Sequence, residues 1–306
     1  MLKKITFRKF SITTLLLLVA LILYNYPEEI NQEYNNDSKQ QINIYLIDKN
    51  NLVALTKIDS NAGKINEKIE FIIDGLTIGS ESSIPDGFRK IIPANTKLLD
   101  YTITNNLLKI NFSKEFLTIS SDDENKLIES LVFSLTAINP IEKVMIFVEG
   151  NKLDELPNSH KKLDLYLDRN YGINKVIDIT TFSGTKMVTV YYLNKDVNYY
   201  YIPISYIVSD EEDKIEIIVN SLKSNRLNSS NLSSHLDYQV ELMNYEATEE
   251  SFLLDFNEFL LSSAHDGKLK EELKYAISYS IYDTFGVENV VFLVNSQKID
   301  EFILEK

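Results

Sequence analysis

The chain has 306 residues, 44% hydrophobic and 25% charged, a globular composition with enough apolar material for two cores. It has no cysteine, which excludes disulfides, thiolate metal sites, a cysteine nucleophile and the lipid-bearing cysteine of a bacterial lipoprotein. Its 9 glycines and 6 prolines speak against Gly-rich phosphate loops and Pro-rich segments, and its 45 acids against 31 bases give a net charge of −14.

Residues 1–9 carry Lys3, Lys4, Arg8 and Lys9 with no acid, and an apolar run follows. The positive-inside rule assigns them as a cytoplasmic segment and residues 10–26 as a transmembrane signal anchor, leaving the rest of the chain extracytoplasmic. The apolar core is as short as that of a signal peptide. However, Leu21 to Pro27 lacks a small-x-small cleavage site, and Tyr24 and Tyr26 sit where interfacial aromatics belong, so the segment is expected to stay as an anchor. Taking those four bases from a net charge of −14 leaves −18 outside the cell. Such a surface repels phosphate polymers, so no nucleic-acid partner is expected and teichoic acids are disfavoured.

Residues 27–41 are polar, without an apolar period, and read as a tether. Ile42 to Ile47 and Leu52 to Ile58 flank a turn cluster and read as a hairpin. Ile65, Ile69, Ile72, Ile73 and Leu76 then fall on one side of a helix. A second hairpin turns at Asn105-Asn106, with Leu108, Ile110 and Phe112 sharing one face. Ser121-Asp122-Asp123-Glu124 matches a capping box opening a helix with Leu127, Leu131, Leu135 and Ile138 inward, which stops at Asn139-Pro140. Lys143 to Val148 is apolar without alternation, the pattern of a central strand covered on both faces.

The segment then repeats. Leu127 aligns with Leu273, Leu131 with Ile277, Ser134 with Ser280 and Val144 with Val290, without a gap. Far upstream the same spacing sets Ile42 to Tyr45 on Val188 to Tyr191 and Lys68-Ile69-Glu70 on Lys214-Ile215-Glu216. One register over so much chain implies two copies of one folding module. The first spans residues 42–156, a connector residues 157–186 and the second residues 187–303. In the second copy Ser209-Asp210-Glu211-Glu212 reads as a capping box, and Phe252, Leu254 and Phe256 match Leu108, Ile110 and Phe112. The order in each copy is strand, strand, helix, strand, strand, helix, strand. That order predicts an α+β layer with both helices on one face of a mainly antiparallel sheet.

The search for chemistry finds no catalytic, cofactor-binding or metal-ligating residue, and no cofactor is expected. His160 falls in the connector, and His235 and His265 in polar loops, with no ligand pair at helical spacing. Asp122 to Glu124 and Asp210 to Asp213 stand at helix starts, where acids favour the helix dipole, and lack the spacing of a calcium loop. No serine sits in Gly-x-Ser-x-Gly, and most of the tyrosines from Tyr191 to Tyr201 lie in strands, where the residue is favoured.

Several stretches carry a resemblance: the opening strands Ile42 to Leu46 and Val188 to Tyr192, the Lys-Ile-Glu helices, Ile92 to Leu99, Leu108 to Phe116, and Leu127 to Val148 with its Ser134-Leu135-Thr136. In these the chain resembles the GerMN domain family of sporulation and germination proteins, with two tandem domains. The second copy lacks the Ile-Pro-x-x-Thr segment, and the absence of cysteine departs from the family's usual lipoprotein. The resemblance implies a ring-building-motif-like fold and no catalytic residues. It also implies a structural role in the channel complex across the space between mother cell and forespore membranes. Protein partners, including self-association, and membrane attachment through the anchor are expected. Met145 and Phe147, or Val291 and Leu293, would need a cover on the sheet face away from the helices. The competing readings are an envelope binding module for a cell-wall glycan or germination-related ligand, which predicts an aromatic and polar pocket, and an exported hydrolase.

Overall fold

A computed structural model describes residues 40–179, 184–194, 200–223, 232–233, 236–248, 250–265 and 268–304. The anchor and almost all of the tether lie outside them, and no helix among the described residues is long and apolar enough to cross a membrane. The first copy contains β1 (Gln40–Asp48), β2 (Val53–Ser60), α1 (Ile65–Leu76), β3 (Phe88–Arg89), β4 (Leu98–Thr104), β5 (Leu107–Phe112), α2 (Glu124–Leu135), β6 (Lys143–Val148) and β7 (Asn151–Lys152). β8 (Val176–Ile177) lies in the connector. The second copy contains β9 (Thr185–Asn194), β10 (Tyr200–Ser209), α3 (Lys214–Lys223), β11 (Leu232–Ser233), β12 (Leu242–Ala247) and β13 (Phe252–Phe256). It continues with β14 (Ala264–His265), β15 (Lys268–Leu269), α4 (Glu271–Phe285), β16 (Asn289–Val294) and β17 (Gln297–Ile303).

The fold is mixed α+β and mostly antiparallel, but each copy divides its strands between two sheets instead of building one. The opening hairpins β1–β2 and β9–β10 join in a single sheet of order β11-β9-β10-β2-β1-β3, with β8 added on β10. The remaining strands form two four-stranded sheets, β4-β5-β6-β7 and β12-β13-β16-β17, and the short two-stranded ribbon β14-β15. Within them β5 runs parallel to β6 and β13 to β16, because a helix crosses over between each pair. The registers agree: Leu108 faces Val144 and Phe112 faces Val148, as Phe252 faces Val290 and Phe256 faces Val294. The turns that follow agree too, with positive φ at Glu149 and Gly150 in one copy and at Asn295 and Ser296 in the other. The hairpin turn at Asn105-Asn106 has φ of 49° and 62°, the left-handed pair that asparagine tolerates and that suits strand twist.

The two-sheet arrangement has a physical cause in α2. Ten of its residues are buried, Glu124 and every residue from Leu127 to Leu135, so no face is left for solvent and one sheet could not cover it. α4 is buried likewise, at Leu273, Lys274 and Ala276 to Ile281. β6, expected to be covered on both faces, buries only Val144, Ile146 and Val148, while Met145 and Phe147 stay half-buried. Val291 and Leu293 of β16 are half-buried in the same way.

Both expected capping boxes are absent. Asp123 occupies the cap position of α2 without a side-chain cap bond. The buried Glu124 carboxylate instead accepts the connector amides of Asn158 and Ser159 at 2.9 and 3.0 Å. At α3 the cap is Asp213, which accepts the amide of Ile215 at 2.8 Å, so the cap lies four residues beyond the predicted Ser209.

Candidate functional site at the junction of the two copies

The copies meet at equivalent residues. Tyr201 of β10 pairs antiparallel with Leu55 of β2, and the hydroxyls of Tyr45 and Tyr191 lie 2.9 Å apart, 146 positions separating the partners in each contact. An antiparallel pair has a local two-fold axis between its partners. When the partners are the same residue of two copies, that axis relates the copies, as in an isologous dimer.

Each tyrosine is held by the same device. β1 pairs with β3 only at Ile47 and Asp48, so its other edge needs a cover, and α2 supplies it: Ser134 Oγ accepts the Tyr45 amide at 2.9 Å. Ser280 of α4 accepts the Tyr191 amide at the same distance and donates its own hydroxyl hydrogen bond to the Ala276 carbonyl at 2.6 Å. Tyr45 packs edge-on to Phe133, and Tyr191 stacks on Tyr279, the counterpart of Phe133.

The connector supplies the third party. Arg169, in the short turn Arg169–Tyr171, donates to Asp283 Oδ1 at 2.6 Å, to Tyr45 and Tyr191 hydroxyls at 3.3 and 3.4 Å, and to the Phe133 carbonyl at 3.1 Å. Its guanidinium lies 4.8 Å from the Phe133 ring centre. The Tyr191 hydroxyl donates to the other oxygen of Asp283, whose side chain is 0% exposed beside 13% for Arg169. Burial opposes the arginine charge but Asp283 outweighs it, so its pKa stands well above the usual value. Burial pushes the Tyr45 and Tyr191 phenols up as well, with Asp283 adding to both rises. With the guanidinium held charged and both phenols held protonated, these contacts tie the two copies and the connector together.

Two further contacts pin the connector. Asn174 fits between β2 and β10 where their pairing opens, accepting the Val53 amide at 2.9 Å and donating to the carbonyls of Val53 and Pro203 at 2.7 and 2.8 Å. Glu129 of α2 accepts the Asn174 amide at 3.0 Å and pairs with Lys175 at 2.9 Å. Burial lowers the Lys175 pKa, and Glu129 offsets part of that fall.

The residues weighed for chemistry do not converge. His160 sits exposed in the connector, 3.0 Å from Glu155; His265 lies in β14, and His235 is outside the described residues. Asp123 pairs with Arg89 at 2.8 Å and Lys126 at 3.3 Å. Asp213 accepts the Tyr245 hydroxyl at 2.7 Å. Among the described residues no three His, Asp or Glu side chains are grouped to hold a metal ion. Sequence reasoning missed Arg169, Asp283, Asn174 and the Tyr45–Tyr191 contact. Only the last left a signal, one tyrosine at the same place in each opening strand.

Fold and junction together define a protein of two homologous α+β modules joined into one body around an internal two-fold. A family model described as Germane, sporulation and spore germination, matches residues 34–154. The spore germination protein GerM of Bacillus subtilis (strain 168) is 30% identical over 276 residues, 86% of this chain and 73% of that protein. The solved tandem GerMN domains of the sporulation protein GerM from Bacillus subtilis share the fold, with a TM-score of 0.77 at 24% identity over 88% of this chain and 98% of theirs. The chain belongs to the GerM family of sporulation and spore germination proteins.

Proposed function

We propose that this chain is a non-catalytic structural component of an extracytoplasmic assembly in sporulating cells, the channel complex between mother cell and forespore. In this reading residues 10–26 anchor it in the membrane with the N-terminus in the cytoplasm, and the two modules stand in the space between the two membranes. The observation that carries the reading is how the buried ionisable groups are used. Arg169, Asp283, Glu124 and Glu129 are all engaged in holding the connector and the copies together. Membership of a sporulation family supports the cellular setting.

A structural component must offer surfaces, and the half-buried rows Met145 and Phe147, and Val291 and Leu293, face away from the helices on both four-stranded sheets. Phe147→Glu should leave the melting temperature within a few degrees, roughly the effect expected of a half-exposed position, yet fail to restore sporulation to a deletion strain. A variant that folds and complements fully would count against the surface. The reading as a whole is tested by a fluorescent fusion and a gene deletion in the sporulating host. Enrichment at the engulfing septum together with a block in spore formation is the expected result. Uniform vegetative localisation without a spore defect contradicts it.

A further inference from the structure

Two adjoining hollows open beside the junction and share Gln41, Lys57 and Tyr279 in their walls. The larger has a volume of about 430 Å³, the size of a small-ligand site. In a chain where acids outnumber bases 45 to 31, neither wall contains a carboxylate, and the larger one contains two lysines. Lys68 has no side-chain partner among the described residues, and Lys57 meets only the hydroxyl and ring of Tyr275, at 3.3 and 4.8 Å. Lys175 and Lys274, by contrast, are ion-paired, with Glu129 and Glu271. Asp59 accepts the Gln41 side-chain amide at 3.4 Å at the edge, but neither lysine forms an ion pair among the described residues, so the concave wall keeps a locally positive field within an acidic protein.

The rest of the wall narrows the ligand. Tyr275 and Phe302 meet edge to face at 4.6 Å, giving an aromatic flank. Gln41 and Asn43 bring amide side chains, and Asn43 already donates to the Tyr279 hydroxyl at 3.3 Å, which orients its carbonyl as an acceptor. The backbone amides of these two residues fall on the side of β1 facing away from β2, the side on which the Tyr45 amide meets Ser134. Lysines and amides suit one carboxylate, amide side chains suit hydroxyl groups, and the aromatic flank suits the apolar face of a sugar ring. A polyanion is disfavoured by the net charge of −14, whereas a singly charged ligand meets only the local field.

We propose that this hollow is a binding site for a small carboxylated sugar. The proposal stands apart from the assembly role and does not depend on it. Isothermal titration calorimetry of the full chain in detergent tests it, with N-acetylmuramic acid, N-acetylglucosamine, acetate and hexaglutamate as probes. N-acetylmuramic acid should bind at least about tenfold more tightly than the other three, and the pair Lys57→Ala, Lys68→Ala should lower its affinity by about tenfold or more, the scale of a lost charge-assisted bond. Because Lys57 is exposed and Lys68 half-buried, that variant should melt with the parent protein. The proposal is overturned if N-acetylmuramic acid does not bind, or binds no tighter than N-acetylglucosamine. Equal binding of acetate overturns it in favour of a plain anion site, and equal binding of hexaglutamate in favour of an acidic peptide. Affinity unchanged in the lysine variant overturns the location.

Discussion

Arg169 is the residue on which the junction turns, since its guanidinium touches both copies from a segment belonging to neither repeat. Removing one partner of a buried ion pair leaves the other charge without compensation, at a cost of about 3–5 kcal/mol. Arg169→Ala should therefore lower the unfolding free energy by about that amount, while Arg169→Ala with Asp283→Ala should cost clearly less than the two single changes added, as urea titrations of the four proteins would show. Additive costs would mean that the pair is not coupled. Burial raises the Glu124 pKa, but its bonds from Ser159 and Asn158 outweigh that, and the net shift is downward from 4.5. A carboxylate with a depressed folded-state pKa contributes stability above 4.5 that is lost as pH falls through the folded value. Glu124→Gln should be less stable than the parent at pH 7 and should flatten the loss of melting temperature below pH 4.5; an unchanged acid limb would show that Glu124 carries none of it. None of this was legible in the sequence, because Asp122 to Glu124 looks like any acidic helix start, and its partner lies 34 residues on in a segment that repeats nothing.

At the scale of elements the sequence was most legible where one face of a strand or helix is buried. The helix periods, the Asn105-Asn106 turn and the alternation of Phe252, Leu254 and Phe256 all reappear in the structure. It was least legible where a helix is buried on every side, since the inward set Leu127, Leu131, Leu135 and Ile138 gave no sign of the second layer against Ile128, Val132 and Phe133. The alignment did place Ser134 on Ser280, and the structure supplies the reason: each serine satisfies a strand amide at an edge covered by a helix. Ser134→Ala and Ser280→Ala each leave a buried amide unpaired, worth about 1–3 kcal/mol. Hydrogen exchange at Tyr45 or Tyr191 should accelerate in the matching variant and not in the other. Exchange unaltered at both amides would show that the edge is held by packing alone.

For the whole molecule, duplication was the strongest message of the sequence, and it extends to the way the copies meet. The 146-residue spacing that aligns the repeats also separates the partners in Tyr45–Tyr191 and Leu55–Tyr201. A repeat spacing alone cannot announce this, because two modules on a string would show the same periodicity. One apolar core takes in Tyr191 and Tyr279 of the second copy alongside the first, and the other takes in Ala54 of the first. Shared cores and a shared sheet make the tandem one cooperative body. The chain has no tryptophan, so a single reporter can be placed in either half, as Leu117→Trp or Phe259→Trp, both at exposed positions. Urea unfolding followed by tryptophan fluorescence should give the same midpoint and slope from both reporters, with Arg169→Ala moving the two curves together. Two separate midpoints, with Arg169→Ala shifting one or neither, would contradict a body fused at its junction.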